Sequence, residues 1–373
     1  MRLLFVITAM GRGGAEIQAK GLAARLVARG HKVMVVVLLP IEEFEDELNA
    51  AGVETRSLGM RRGVPSARAA VEFVQILRRW RPDVVQTWMY AADLLGGFGS
   101  LVTGTPVAWG IRCSRIHSSR KSTLRLMRLS ARVSGRIPRR IFANSEAGRQ
   151  YHVAHGYSAE KMRVVPNGFD IERYRPDQVS RDAVRTELGI QPGDLVVGIV
   201  ARFDPLKDHA TFFRAAGILV RSLPEARFLV VGRGLADNPH VARWVADAGI
   251  RERCIFTGQR GDTERLANAM DVATLTSCAE GFPNALGEAM ACGVPCVATN
   301  AGDSVEIIGD ASRIVPVGDA AGLARRWEAV LRSSREERSR LGALARERIV
   351  ERFSVEAVTS RYEREWEALA RRS

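Results

Sequence analysis

Short apolar and β-branched runs alternate with longer amphipathic stretches along this chain, and the alternation runs through twice. In the first half the runs fall at 3–8, 33–39, 53–57, 84–87, 107–109 and 141–143, with helical patterns such as 15–29 between them. That is the rhythm of a parallel sheet, whose strands are joined by helical crossovers. It reaches Val164-Val165-Pro166-Asn167-Gly168 and then stops at 172–182, a polar stretch with a proline and no apolar period that reads as a linker. It restarts at 195–201, 228–231, 254–256, 272–275 and 296–298, and helical patterns from about 320 to 371 close the chain. The expected fold is α/β, with two doubly wound Rossmann-like domains over 1–175 and 176–354. A cleft between two such halves would hold ligands at the carboxyl ends of the strands.

Composition narrows the class. A chain of 373 residues with 46% apolar residues has enough buried surface for two cores and is not a disordered one. Its longest apolar run, 33–39, is far short of the roughly 18 to 20 residues a membrane span requires. The opening MRLLFVITAM lacks a small-residue cleavage site and reads as a buried strand. Five cysteines without CxxC spacing fit reduced thiols in a cytoplasmic protein and no zinc site. The net charge of +13 is uneven, since ten Lys or Arg and no acidic residue lie from Arg112 to Arg140. Such density favours a polyanion: nucleic acid, anionic lipid or a phosphorylated substrate.

Three constellations carry candidate chemistry. Glu280-Gly281-Phe282-Pro283-Asn284-Ala285 leads from the run 272–275 into a helix expected over about 283–292, with Pro283 in its first turn and Gly293 as its stop. Amides near Phe282, Asn284 and Ala285, with the helix dipole, suit a pyrophosphate. Glu288, just over one turn in, can accept from two vicinal hydroxyls such as a ribose offers, and Glu280 can meet polar groups beyond the phosphate. The bland reading is a solvated pair of glutamates on an ordinary βα unit. Arg202 and Lys207, on the turn leaving 195–201, can neutralise a diphosphate and the charge that develops as its bond breaks; the bland reading is two surface cations. Gly11-Arg12-Gly13-Gly14-Ala15-Glu16 approaches the dinucleotide fingerprint but ends on Glu16, which disfavours a nicotinamide cofactor. Gly13 and Gly14 then either touch a phosphate or sugar or form a plain tight turn.

Together these residues make the sequence resemble a GT-B glycosyltransferase of the family 4 type, the glycosyl transferases group 1. The matching residues are Gly13-Gly14-Ala15-Glu16, Ala143-Asn144-Ser145, Val165-Pro166-Asn167-Gly168-Phe169-Asp170, Arg202 with Lys207, and Glu280 with Glu288 at ExxxxxxxE spacing. The resemblance implies a retaining transfer of a sugar from a nucleotide diphosphate, without metal or other cofactor, and the sequence has no DxD. It assigns ribose to Glu288, donor-sugar hydroxyls to Glu280 and the diphosphate to Arg202 and Lys207. It brings Gly13 and Gly14 in from the other side and sends a last helix, about 355–373, back onto the first domain. No carboxylate pair stands out as a nucleophile, so the implied reaction runs on the front face, with the leaving phosphate oxygen taking the acceptor's proton. Many members carry a His after the fifth strand of the first domain. Here Arg112 takes that place, with His117 five residues on, and both are candidate substrate contacts beside Asn167.

The acceptor is expected to be a lipid-linked or saccharide molecule in cell-surface polysaccharide or lipopolysaccharide biosynthesis. Arg125, Arg128, Arg132, Arg136 and Arg139 recur at helical steps opposite Leu124, Met127 and Ala131. A basic amphipathic helix of this kind suits an anionic membrane surface, placing the protein on the inner face of the cytoplasmic membrane; a solvated helix is the alternative. A GT-B sugar-nucleotide epimerase shares the architecture but needs an acid and base pair that is not evident. A nucleic-acid-binding protein is disfavoured because the basic run has little aromatic interleaving.

Overall fold

The computed structural model describes the chain apart from residues 12, 42, 62, 63, 65, 117–119 and 372–373. The chain divides into one unit made of Met1–Gly168 and Val355–Ser373 and a second made of Phe169–Ser354. The first holds seven strands: β1 (Arg2–Ile7), β2 (Lys32–Val37), β3 (Glu54–Ser57), β4 (Val84–Trp88), β5 (Val107–Ile111), β6 (Arg140–Ala143) and β7 (Met162–Val164). They pair in the order β3-β2-β1-β4-β5-β6-β7, all parallel, with Leu3 opposite both Val33 and Val84. β4 and β5 are buried end to end and β1 from Leu3 onward, as a sheet covered by helices on both faces demands. Helix Gly14–Ala28 covers one face through Ala19, Leu22, Ala23 and Leu26, the period of a single helical stripe.

The second unit repeats the pattern with β8 (Leu195–Val200), β9 (Ala226–Val231), β10 (Cys254–Gly258), β11 (Val272–Leu275), β12 (Cys296–Thr299) and β13 (Ile314–Val315). Their order is β10-β9-β8-β11-β12-β13, again parallel. Both sheets are thus doubly wound and Rossmann-like. Crossovers leave β8 and β11 in opposite directions, which opens a crevice at their carboxyl ends.

Three sequence expectations need correcting. The unit boundary lies at Gly168/Phe169 rather than 175/176, because Phe169 is buried in the second core and its amide donates to Phe353 O at 2.8 Å. The stretch 172–182 is not a linker. It enters helix Gln178–Glu187, whose N-cap Asp177 accepts from the Ser180 amide at 3.1 Å, and Arg181 fastens that helix to Asp271 at 2.7 Å. The basic helix spans Lys121–Val133 only, so exposed Arg136 and Arg139 lie beyond its end. The final helix, Val355–Ala370, belongs to the first unit, burying Val358, Tyr362, Trp366 and Leu369 in one of its cores.

Candidate active site

The second unit gathers its candidate residues on the two strands that flank the crevice. Arg202 and Lys207 follow β8, and 276–284 follow β11. The two loops are laced together: Cys278 N donates to Leu206 O at 2.8 Å and Thr276 Oγ1 to Lys207 O at 2.8 Å. Lys207 Nζ lies 2.5 Å from Glu280 Oε1, which also accepts from Ser277 Oγ at 2.6 Å. Lys207 is therefore not a lone point charge but half of a largely enclosed ion pair. Arg202 is more open and pairs with Asp204 at 2.6 Å. Asp204 in turn caps the turn Pro205–Lys207 through the Leu206 amide at 3.0 Å. Burial pushes the Asp204 carboxyl up, but that amide and the Arg202 guanidinium outweigh it and hold it below the usual range. Sequence reasoning passed over His209. It is buried and stacked on Phe203, with ring centroids 6.3 Å apart, and burial holds its pKa at about 4, so the ring packs neutral behind the Lys207 turn.

Helix Asn284–Ala291 begins one residue later than expected, with Pro283 as its N-cap and no side chain capping it. Its start puts the positive end of the helix dipole and backbone amides at the crevice, the condition for an anion site. The Phe282 side chain faces the other way, buried against Phe169 and Phe353 with centroids 6.0 and 5.4 Å away, so of Phe282 only the backbone is available to a ligand. Gly281 O accepts from Asp303 N at 3.0 Å. Beside it Gly302, at φ +58°, lies so close that a Cβ there would sit 2.4 Å from Glu280 O. The strand β12 side thus fixes the Glu280-Gly281 backbone.

Glu288 lies at a narrow recess with Gly198, Val200, Thr263 and Ala285. Burial of its carboxyl pushes its pKa up to about 7, the nearby Arg173 acting against that rise and Glu264 adding to it. Arg173 is a residue the sequence did not single out. It sits in the stretch read as linker, pairs with Glu264 at 2.9 Å and donates to Gly261 O at 2.9 Å.

The remaining candidates belong to the first unit. Gly13 is the N-cap of helix Gly14–Ala28, and the Glu16 carboxyl folds over it, 2.2 Å from where a Cβ would stand. Arg112, at the end of β5, is stacked over Trp88 at 4.1 Å and tied to Tyr362 Oη and, at 3.3 Å, to Asn167 Oδ1. Asn167 itself is buried. His117 lies outside the described residues. Among the described residues no group of three or more His, Cys, Asp or Glu could hold a metal ion.

Two parallel-sheet Rossmann-like domains of this kind constitute the GT-B fold. Residues 12–173 match the model of Glycosyltransferase Family 4, and residues 194–333 match that of Glycosyl transferases group 1. The chain belongs to the family 4 type of glycosyltransferase. It is 24% identical over 242 residues to an Escherichia coli UDP-Gal:alpha-D-GlcNAc-diphosphoundecaprenol alpha-1,3-galactosyltransferase, covering 64% of this chain and 62% of that one. It is 36% identical over 231 residues to a D-inositol 3-phosphate glycosyltransferase of Rhodococcus opacus, covering 58% of this chain but 50% of the relative. The matched stretches thus span 62% and 50% of these relatives, less than two thirds of each. Among solved structures, Anabaena HepE in complex with UDP and glucose superposes with TM-score 0.83 at 23% identity, covering 99% of this chain and 100% of that one. WaaG, a glycosyltransferase involved in lipopolysaccharide biosynthesis, superposes with TM-score 0.68 at 17% identity, covering 99% of each.

Proposed function

We propose that this protein transfers a sugar from a nucleoside-diphosphate sugar to a lipid-linked or saccharide acceptor in cell-surface polysaccharide or lipopolysaccharide synthesis, with retention at the anomeric carbon and no metal ion. The observation that carries the reading is the Lys207–Glu280 pair at the β8/β11 crevice, with Arg202 on the same turn and the Asn284–Ala291 helix starting beside it. The donor's diphosphate takes the helix amides, Arg202 and one of the three ammonium donors of Lys207, while another keeps Glu280 in place. Glu280 then presents its second oxygen to a hydroxyl of the donor sugar, and Glu288 accepts the ribose hydroxyls. As the sugar–phosphate bond breaks, charge grows on the leaving phosphate, where preformed donors can be worth ~3 to 4 kcal/mol each. That phosphate oxygen takes the acceptor's proton on the same face. Arg112, with Trp88 and Asn167 fixing its guanidinium, contacts an acceptor phosphate.

A thermal-shift screen over UDP-, GDP-, ADP- and dTDP-sugars, followed by hydrolysis of the best donor in a chelator, tests this directly. One donor should raise the melting temperature, and its released sugar should keep its anomeric configuration with the metal removed. Absence of a shift with every donor, or inversion, would overturn the assignment.

A further inference from the structure

Building on the contact given above between Arg112 and an acceptor phosphate, we propose that the strained turn Trp88-Met89-Tyr90 is a clamp that holds this guanidinium as a preformed phosphate site. Met89 and Tyr90 are then positioning residues for the acceptor. The turn joins β4 to helix Tyr90–Thr103, and each of its three residues grips one residue at or just past the end of β5. The Trp88 ring lies 4.1 Å from the Arg112 guanidinium, the Met89 amide donates to Gly110 O at 2.8 Å, and Tyr90 Oη lies 3.2 Å from Cys113 Sγ. Met89 adopts φ 72° and ψ 162°. Phe44, Arg81 and Asp208, the other non-glycine residues with positive φ among the described residues, lie in the left-handed helical well, whereas Met89 lies in a region kept almost wholly for glycine. Strain of this kind survives only where the surroundings impose it. Here they do: the Met89 carbonyl accepts from Asp93 N at 2.9 Å, and Trp88 and Tyr90 on either side are buried.

The tyrosine is pinned in turn. His152 Nδ1 is 2.7 Å from Gly148 O, which only accepts, so Nδ1 carries the proton and Nε2 accepts from Tyr90 Oη at 2.8 Å. Burial holds the His152 pKa at about 4 and keeps the ring neutral, as that arrangement requires. The Tyr90 oxygen is left to accept from the Cys113 thiol. What the clamp presents is a charge without a counter-ion. Arg112 Nη1 donates to Asn167 Oδ1 at 3.3 Å and Nη2 to Tyr362 Oη, both neutral groups, while Nε is buried with no hydrogen-bond partner. Among the described residues no carboxylate pairs with this guanidinium. A part-buried cation without an opposite charge lowers stability, and an anionic ligand supplies what is missing. Both terminal nitrogens keep further N–H donors for phosphate oxygens. The sheet order also sends the crossovers from β1 and β4 in opposite directions, so this unit's own crevice opens at the carboxyl end of β4, where the turn begins.

Calorimetric titration of the full chain with inorganic phosphate, glucose-1-phosphate and farnesyl phosphate tests the clamp, the signal being the binding that Arg112→Ala removes. The ester that binds more tightly than the bare ion tells whether a saccharide or a lipid carries the phosphate. Tyr90→Phe should weaken this binding on the order of tenfold, the worth of one lost hydrogen bond. Met89→Gly should bind like wild type, because glycine adopts the turn freely. Met89→Val keeps an apolar side chain but resists that φ, and should lose at least as much as Tyr90→Phe. A packing role for Met89 demands the reverse order, so tighter binding by the valine variant than by the glycine variant would overturn the clamp. Wild-type binding in Tyr90→Phe would do the same while leaving the Arg112 contact in place; no Arg112-dependent binding at all would remove both. If circular dichroism shows Met89→Val unfolded, the glycine and phenylalanine variants still decide. The donor-induced thermal shift on the same samples reports the second unit, and its absence in the wild type would withdraw the donor site without touching the phosphate result.

Discussion

The Glu288 carboxyl is enclosed in the second unit with no hydrogen-bond donor among the described residues, so its ionised form is poorly solvated and its pKa is pushed up to about 7. Ribose hydroxyls would donate more strongly to the ionised form than to the protonated one, which makes the carboxyl more acidic in the complex than in the free protein. Protons then favour the free protein, and donor affinity should fall as pH drops through 7, by at most about tenfold per pH unit. The same raised pKa disfavours folding above the ordinary carboxylate range and has no effect below it. Glu288→Gln should therefore bind the nucleotide weakly at every pH without that slope, and should melt higher than wild type at pH 8 but not at pH 4. A calorimetric titration of UDP across this range checks it; a slope surviving in the variant would count against Glu288. For the cations, Arg202→Ala and Lys207→Ala should each lower kcat by about a hundred- to thousandfold. Near-normal turnover in both would remove the electrostatic role. The glutamate spacing and both cations were legible because they lie within single βα loops. The ion pair of Lys207 with Glu280 was not, since 73 residues separate them and only the adjacency of β8 and β11 brings them together. Arg173 was hidden for a similar reason: its partner Glu264 comes from a different βα unit.

At the level of elements, periodicity found the long strands but not those built from two or three residues. β13, only Ile314–Val315, has no period to read, and it exists because β12 offers it a paired edge. Helix Gln178–Glu187 was missed because Val184 is its one buried apolar side chain. Arg181 and Arg185 attach it instead, through Asp271 and backbone carbonyls. The helix that starts at Asn284 was legible from Pro283 and Gly293, yet what aims it was not. Gly287 faces Phe169, and an added Cβ would fall 2.0 Å from that ring. Gly287→Ala must displace the aromatic cluster of Phe169, Phe282 and Phe353 or tilt the helix. Overpacking of this kind costs about 1 to 3 kcal/mol. The variant should melt lower and bind donor more weakly even though no ligand contact is altered, as a thermal melt with and without UDP would report. Wild-type donor affinity would mean that the helix is not aimed by this contact.

Over the whole molecule, the chain leaves the first unit at Gly168 and returns to it at Val355, so a helix at the end of the sequence completes a core begun at its start. Trp366 is fully buried, stacked on Tyr362 at 4.9 Å and near Phe5 at 5.8 Å, and its indole donates to Gln86 Oε1 at 3.0 Å. Charged contacts hold the same helix from outside, with Arg29 engaging both Glu356 and Glu363. Truncating a buried Trp to Ala removes a large apolar volume and strands the Gln86 amide, at a cost of about 3 to 5 kcal/mol. That cost falls on the first unit alone, because every one of these partners lies in Met1–Gly168 or Val355–Ser373. In calorimetry Trp366→Ala should lower one melting transition and leave the other in place. The unmoved transition should be the one that donor nucleotide raises, since Arg202, Lys207, Glu280 and Glu288 all belong to Phe169–Ser354. If instead the nucleotide raised the transition that the mutation lowers, the donor would be held by the first unit, and the roles given to those four residues would have to be withdrawn.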